Sequence, residues 1–424
     1  MTHHTLLPAM LAAALAAPAA RAQACPDPRQ LTRGTGAPLA HVRYLADDAL
    51  EGRLAGSAGE RCAGEYVAAE LRRLGLEPAG DAGTYFQSLP LASAMDPHGA
   101  GGTGRNVVAL LRGGDAALRD EVVVVGAHYD HLGHGGRFSM ARGDSSVHNG
   151  ADDNASGVAA LLEIARRLAA GPRPARSVVF IAFSGEEMGL LGSAFYAQHP
   201  AVPLARTRAM LNLDMVGRLG AGPLIVYGTE TADEWKDAVE RAAAAEGVAV
   251  RTGGDGFGAS DQTSFYAQGV PVLHFFTNVH ADYHRPSDDW EKIDARGLEK
   301  VAAVVERVAR DVAGRPGALT LRRSTAPPPR GGGGYGAYLG SIPDFTPVEN
   351  GVRLTGVRAG SPAEKAAIRA GDVIVHMGEM EVRDLQGLTD ALRAHKPGDT
   401  VPVTVLRDGR RLTVSVTLGS RGGS

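Results

Sequence analysis

Residues 177–199 read SVVFIAFSGEEMGLLGSAFYAQH. The opening run, VVFIAF, is apolar and rich in β-branched and aromatic residues, and Ser and Gly bound it. A short continuous apolar run between turn residues marks a strand buried on both faces. GLLGSAFYAQH, directly after it, reads as a helix, and a strand followed at once by a helix is the building unit of α/β domains. The loop between them holds Glu186 and Glu187 side by side. Adjacent carboxylates repel at neutral pH. Their placement at a strand end calls for nearby positive charge and asks whether the two do the same work.

On either side the alternation continues. Residues 38–75 read as helical, most clearly in EYVAAELRRLGL. RNVVALL (105–111), EVVVVGAH (121–128), RAMLNLDMVG (208–217), PLIVYG (223–228) and GVPVLHFF (269–276) read as strands. ASGVAALLEIARRLAA (155–170), TADEWKDAVERAAAAEG (231–247) and GLEKVAAVVERVARDVAG (297–314) read as helices. The pattern predicts an α/β domain with a largely parallel central sheet and helices on both faces. At 322–334, RRSTAPPPRGGGG breaks it as a Pro/Gly-rich linker. Residues 335–420 carry short β-like runs and one helix, LQGLTDALRAH, and form a small β-rich second domain.

Composition narrows the function classes. A net charge of −3 offers no strong field for nucleic acid, so no nucleic-acid partner is expected. Residues 1–24, ending in Ala22-Gln23-Ala24, look like a secretory signal peptide, although their start lacks Lys and Arg. No later segment is apolar for the roughly 20 residues a membrane span requires. The expectation is therefore an exported chain, periplasmic or extracellular, with a catalytic domain over 25–321. Cys25 and Cys62 are the two cysteines. After export they can pair, and lipidation of Cys25 is the alternative.

Five short patterns in the first domain place polar groups just after expected strands. GAHYDH supplies His128 and Asp130, and NGADDNASG supplies Asp152 and Asp153. The paired glutamates come third, Asp214 ends the apolar LNLDMV, and DYHRPSDDW supplies Tyr283 and His284. Singly, each has a bland reading: a loop histidine, a helix cap, a solvated acidic face. Asp214 resists it, because a charge inside an apolar run is costly unless paired or bound to metal. In open parallel sheets, ligand sites form at the carboxyl ends of the strands. Histidines and carboxylates gathered there suit zinc.

The order H-x-D, D-D-N-x-S-G, G-E-E-x-G-L-L-G-S, L-D-M-x-G and Y-H-x-P-x-D resembles the secreted two-zinc aminopeptidases, a family that includes glutamate carboxypeptidases and, more distantly, glutaminyl cyclases. The resemblance covers roughly residues 40–312. It implies two zinc ions, with His128, Asp153 and Asp214 on one, Asp153, Glu187 and His284 on the other, and Asp153 bridging. It implies Asp130 as acceptor for the far nitrogen of His128, Glu186 as general base, Tyr283 beside the developing oxyanion, and a cis Asp153–Asn154 peptide. The substrates would be peptides with a free N-terminus. SDQTSF departs from a common SDH version, with Gln262 in the His place. The second domain resembles PDZ domains of the HtrA type. YLGS (338–341) would be its carboxylate-binding loop, and a peptide C-terminus its ligand; a packing module is the alternative.

Competing readings are a two-zinc carboxypeptidase or deacylase with an inserted lid, a one-zinc cyclase, and an inactive scaffold presenting the second domain. About 70 residues separate Asp214 from His284. That interval leaves room for the remaining strands and helices but not for a lid domain.

Overall fold

The computed structural model of the chain describes residues 1, 24–91, 102–136, 138–141, 143–323, 337–343, 348, 350–358, 360–383 and 385–420. Most of the signal-peptide segment and of the Pro/Gly-rich linker lies outside these. In the first domain the strands are β1 (Glu77–Pro78), β2 (Phe86–Leu91), β3 (Gly102–Leu111), β4 (Val122–His128), β5 (Ser177–Phe183), β6 (Thr207–Leu213), β7 (Leu224–Tyr227), β8 (Val250–Gly253) and β9 (Val272–Phe276). The helices are α1 (Pro28–Leu31), α2 (Leu39–Leu45), α3 (Ala58–Arg73), α4 (Gly157–Ala170), α5 (Leu191–Gln198), α6 (Trp235–Ala245), α7 (Gln262–Ala267) and α8 (Ala295–Gly314).

These strands form one nine-stranded sheet in the order β1-β3-β5-β4-β6-β9-β7-β8, with β2 on β3. The expected parallel arrangement holds at its centre: β5, β4, β6 and β9 run parallel. The flanks differ. β3 is antiparallel to β5, and β7 is antiparallel to β9. The sheet is therefore mixed. β1, β2, β8, α1 and α7 are additions to the sequence reading; all are short, and β8 has no buried residue to give a periodic signal.

β4 is buried along its whole length, because helices cover both faces of the sheet. Val123, Val125 and Ala127 face one core, packed with residues of α3, α4, α6 and α8. Val122 and Val124 face the other, with Tyr196 of α5 and Phe265 of α7. This is the two-residue alternation of a strand shared between two layers. α8 closes the first layer with the stripe Leu298, Val301, Val305, Val308 and Val312. The Asp294 carboxylate caps it by accepting the Gly297 N–H at 3.0 Å. Each buried Val or Leu contributes about 1.5–3 kcal/mol, so a charge at Val305 would remove α8 from the sheet.

Cys25 and Cys62 form a disulfide that joins the segment before α1 to α3. Among the described residues, no helix is long and apolar enough to cross a membrane.

The second domain holds β10 (Ala337–Tyr338), β11 (Ser341–Pro343), β12 (Val352–Val357), α9 (Pro362–Lys365), β13 (Val373–Met377), β14 (Met380–Glu381), α10 (Leu385–Ala394), β15 (Thr400–Arg407), β16 (Arg410–Thr417) and β17 (Gly419–Ser420). Its main sheet runs β11-β12-β13-β15-β16, and among the described residues one side of β11 is a free edge of that sheet. The core is its own, built on Leu354, Ile374, Leu388, Val403 and Val405.

Candidate metal centre

The sequence-selected residues converge at the carboxyl ends of the central strands. His128 is the last residue of β4, Glu186 and Glu187 follow β5, and Asp214 is the first residue after β6. Asp153 lies in a π-helical turn (Ala151–Ser156) that leads into α4. His284 and Tyr283 come from the loop after β9 and stack on each other, ring centroids 3.9 Å apart. The Asp153–Asn154 peptide is cis. Two residues at the site adopt positive φ, Met215 at 52° and His284 at 54°, a region that side chains other than Gly occupy at a cost.

Asp153 sits between two histidines. Its Oδ1 lies 3.3 Å from His128 Nε2, and its Oδ2 lies 3.2 Å from His284 Nε2. Asp214 Oδ1 is 3.4 Å from His128 Nε2, and Glu187 Oε2 is 3.2 Å from His284 Nε2. Donors about 2.0–2.1 Å from a tetrahedral ion stand about 3.3–3.4 Å from one another. The four separations match that spacing, and among the described residues the buried Asp214 Oδ1 has no hydrogen-bond partner. The donor set fits zinc.

Two more groups crowd the same space: His128, Glu186 and Asp214 form one cluster of possible ligands, and His131, Asp153 and Glu187 another. Glu186 Oε2 lies 4.0 Å from His128 Nε2, outside the spacing of the other donors. His131 Nδ1 lies 2.7 Å from Glu187 Oε1, a hydrogen-bond distance too short for two donors on one ion. His131 therefore holds Glu187. It is fully buried and lies edge-on to His284. It belongs to the HYDH motif three residues after His128, and the sequence reading gave it no role.

The paired glutamates diverge. Burial pushes Glu186 well above the usual carboxylate range; His128 opposes this, while Glu187, Asp214 and Asp261 reinforce it. Burial also acts on Glu187, but His284 and His131 overcome it and bring that carboxyl down to about 2. The two neighbours are driven in opposite directions. Burial pulls His128 and His284 down, yet the surrounding carboxylates hold both well above the usual histidine range. The cluster is a surplus of negative charge that draws cations.

The Asp130 carboxylate pairs with the far nitrogen of His128, and the Asp130 backbone carbonyl stands closer still. His128 Nδ1 donates to the backbone carbonyl of Asp130 at 3.2 Å, and the nearer carboxylate oxygen stands 3.7 Å away. The carboxylate also reaches the loop after β5, where it accepts the N–H groups of Glu186 at 3.1 Å and Glu187 at 3.4 Å. In an H-x-D turn the carbonyl is the closer acceptor, so the side chain can also fix the glutamate pair. His284 Nδ1 likewise donates to a carbonyl, that of Phe138, at 3.0 Å. Carbonyls only accept, so both rings carry hydrogen on Nδ1 and turn Nε2 to the site.

Outer groups missed in the sequence hold the loops together. Asp288 accepts the N–H groups of Asp152 and Asp153 and a 2.7 Å bond from Arg218. Arg53, fully buried, donates to the carbonyls of Leu45, Tyr129, Asn149 and Gly150. Burial pulls its guanidinium down to about 10. Ser260 donates to Asp214 Oδ2 at 2.7 Å. Gln262, at the position that departs from SDH, accepts from Asn212 Nδ2 at 3.0 Å and so belongs to the support of Ser260. Asp261 is buried beside them with neither oxygen hydrogen-bonded among the described residues, and burial pushes it up to about 7.

Comparison with known proteins finds likenesses over both domains. Residues 106–309 match peptidase family M28, and residues 340–418 match the PDZ domain. Leupeptin-inactivating enzyme 1 of Streptomyces exfoliatus is 29% identical over 66% of this chain and 56% of its own. Aminopeptidase YwaD of Bacillus subtilis is 31% identical over 49% of this chain and 46% of its own. The chain thus spans about half the length of these curated relatives. Among solved structures, an aminopeptidase from Aneurinibacillus sp. strain AM-1 aligns with TM-score 0.52 at 21% identity, over 70% of this chain and 98% of that one. A glutaminyl cyclase from Porphyromonas gingivalis aligns with TM-score 0.53 at 22% identity, over 65% and 97%. These likenesses establish the fold.

Proposed function

From a chain that carries a peptidase family M28 domain followed by a PDZ domain, we propose an exported metallo-aminopeptidase with two zinc ions. One observation carries the two-ion reading: the oxygens of Asp153 face different histidines, His128 and His284, at ligand spacing. His128, Asp153 and Asp214 would hold one ion; Asp153, Glu187 and His284 would hold the other. When bound, the ions supply Lewis-acid polarisation of a carbonyl and lower the pKa of water.

The protein's own groups do the rest. Glu186, outside the ligand spacing, is ionised beside bound cations, accepts a proton from the attacking water and returns it to the leaving amine. Glu187 stays ionised under His131 and His284. Burial, and then Asp153 and Glu187, hold the Tyr283 phenol well above its ordinary range, so it keeps its hydrogen to donate to a developing oxyanion. The acidic surroundings of Asp214 and Asp261 favour a free ammonium, which points to exopeptidase action at the N-terminus. The A-x-A motif and the Cys25–Cys62 disulfide support export, because disulfides persist in oxidising compartments. The free edge of β11 beside YLGS supports capture of a peptide C-terminus by strand addition.

The interval between Asp214 and His284 is filled by β7, α6, β8, α7 and β9, which favours this reading over a lidded carboxypeptidase. The test is a panel of peptides with free and acetylated N-termini, with and without chelator. The reading expects turnover of free N-termini only, abolished by chelator and restored by zinc. Equal rates on both peptide types would replace it with an endopeptidase or deacylase.

A further inference from the structure

The two domains meet at a buried ion pair. Arg358, the residue after β12, donates through both terminal nitrogens to the carboxylate of Asp255, and both side chains are largely buried. The guanidinium also lies 4.9 Å from the Phe257 ring centroid. On the second-domain side, the Arg358 backbone N–H donates to the carbonyl of Gly340, inside YLGS, at 2.8 Å. A forked arginine–carboxylate pair fixes geometry as well as charge. Once buried, neither partner can be removed without leaving the other uncompensated.

Asp255 opens the segment that reaches the metal centre. Its carboxylate accepts the Phe257 N–H at 3.1 Å, and Phe257 stands edge-on to Tyr266 of α7 at 4.8 Å. A Cβ on Gly256 would lie 2.3 Å from the Tyr266 ring, so the segment is pressed flat against that helix. The Gly258 N–H donates to Thr263 Oγ1 at 2.8 Å. Two residues on, Ser260 makes the bond to Asp214 Oδ2. Among the described residues that is the hydrogen bond that orients the Asp214 carboxylate, since Oδ1 has none.

We propose that Arg358 of the PDZ domain is a positioning residue for the metal centre: by fixing Asp255 it sets the Asp255–Ser260 segment, and through the Ser260 hydroxyl the orientation of Asp214. The inference rests on the two-ion reading. It makes the second domain a working part of the site rather than a tethered module.

The experiment is a double-mutant cycle in the full-length chain between Arg358→Ala and Ser260→Ala. It is read by zinc retention against a chromogenic chelator, by kcat and KM, and by hydrogen exchange over residues 255–262. Outer groups that orient a ligand typically govern about 10–100-fold in metal affinity. Arg358 acts one step further out, so Arg358→Ala should weaken one of the two ions by about tenfold and leave the other unchanged. Residues 255–262 should exchange faster. The double mutant should be no worse than Ser260→Ala alone, the non-additivity expected of one chain of contacts. Arg358→Lys keeps the charge, loses the fork, and should fall between. Unchanged zinc retention and exchange with only a lower Tm would mean the pair merely docks the domains, and additive losses would equally overturn the proposal. Two failures remain distinguishable. A wild-type protein that holds fewer than two zinc ions sinks the two-ion reading, while exchange over 255–262 still decides the coupling.

Discussion

The two candidate ion pockets share Asp153 and differ in what stands behind them. On the Glu187 side, support comes from the first domain's own loop after β4: His131 from the HYDH turn and the Phe138 carbonyl beyond it. On the Asp214 side, the outer support is Ser260, carried by a loop whose far end is clamped by another domain. One pocket is built into the sheet edge and the other is held from outside. On the two-ion proposal, one ion would be set by the fold and the other would be open to adjustment.

The largest effect that would break this comparison belongs to the adjacent glutamates. Glu186→Gln removes the proton acceptor and keeps the shape, so turnover should fall about 10²–10⁴-fold with both zinc ions retained. Glu187→Gln should instead lose one ion, with activity partly rescued by added zinc. Metal content per chain beside kcat for each variant decides it, and zinc loss from Glu186→Gln alone would reverse the roles. A smaller effect separates the halves. His131→Ala and Ser260→Ala should each weaken zinc by about 10–100-fold, but at different ions, so the double variant should release both on chelator titration. If both variants loosen the same ion, the division is wrong.

The smallest effect on turnover concerns Glu60 beneath the loop after β5. It accepts from the Ser184 hydroxyl and from the Gly56 N–H, yet burial pushes its carboxyl up to about 8 from 4.5. A raised carboxyl favours the protonated fold. That stability is present in full below about pH 4.5 and is lost as pH rises through about 8. Relative to Glu60→Gln, the wild type should therefore lose on the order of a few kcal/mol across that window, read as the difference in unfolding midpoint. A difference that does not change with pH would show that Glu60 is ionised throughout.

Residues that must touch an ion were legible in the sequence because the chemistry restricts them. Only a few residue types bind zinc, and an α/β sheet presents them where apolar runs end, as at His128 and Asp214. The strands β4, β5 and β6 were legible for the same reason, since burial on both faces demands unbroken apolar runs. The flanking strands β3 and β7 were legible too, but their antiparallel direction was not, because an apolar run carries no sign of its neighbour's direction. Nor were the supporting groups. Arg53, Ser260 and Asp288 are common residue types in unremarkable surroundings, and only folding brings them to the site. His131 stood inside a quoted motif, yet nothing in its spacing distinguishes a ligand from a residue that steadies one.

Arg53 also constrains the order in which the site can be completed. Its four acceptor carbonyls include that of Gly150, 97 residues later in the chain. During synthesis from the N-terminus, the guanidinium therefore exists well before most of its partners have been made, and it must stay hydrated until the Asn149–Gly150 turn arrives. A circular permutant opened in the exposed loop around Ala116, between the two residues, would reverse that order, with Gly150 made early and Arg53 only after the joined original termini. Such a chain would have the same finished contacts and a different history, and its yield of zinc-competent protein would report how much the order of arrival matters.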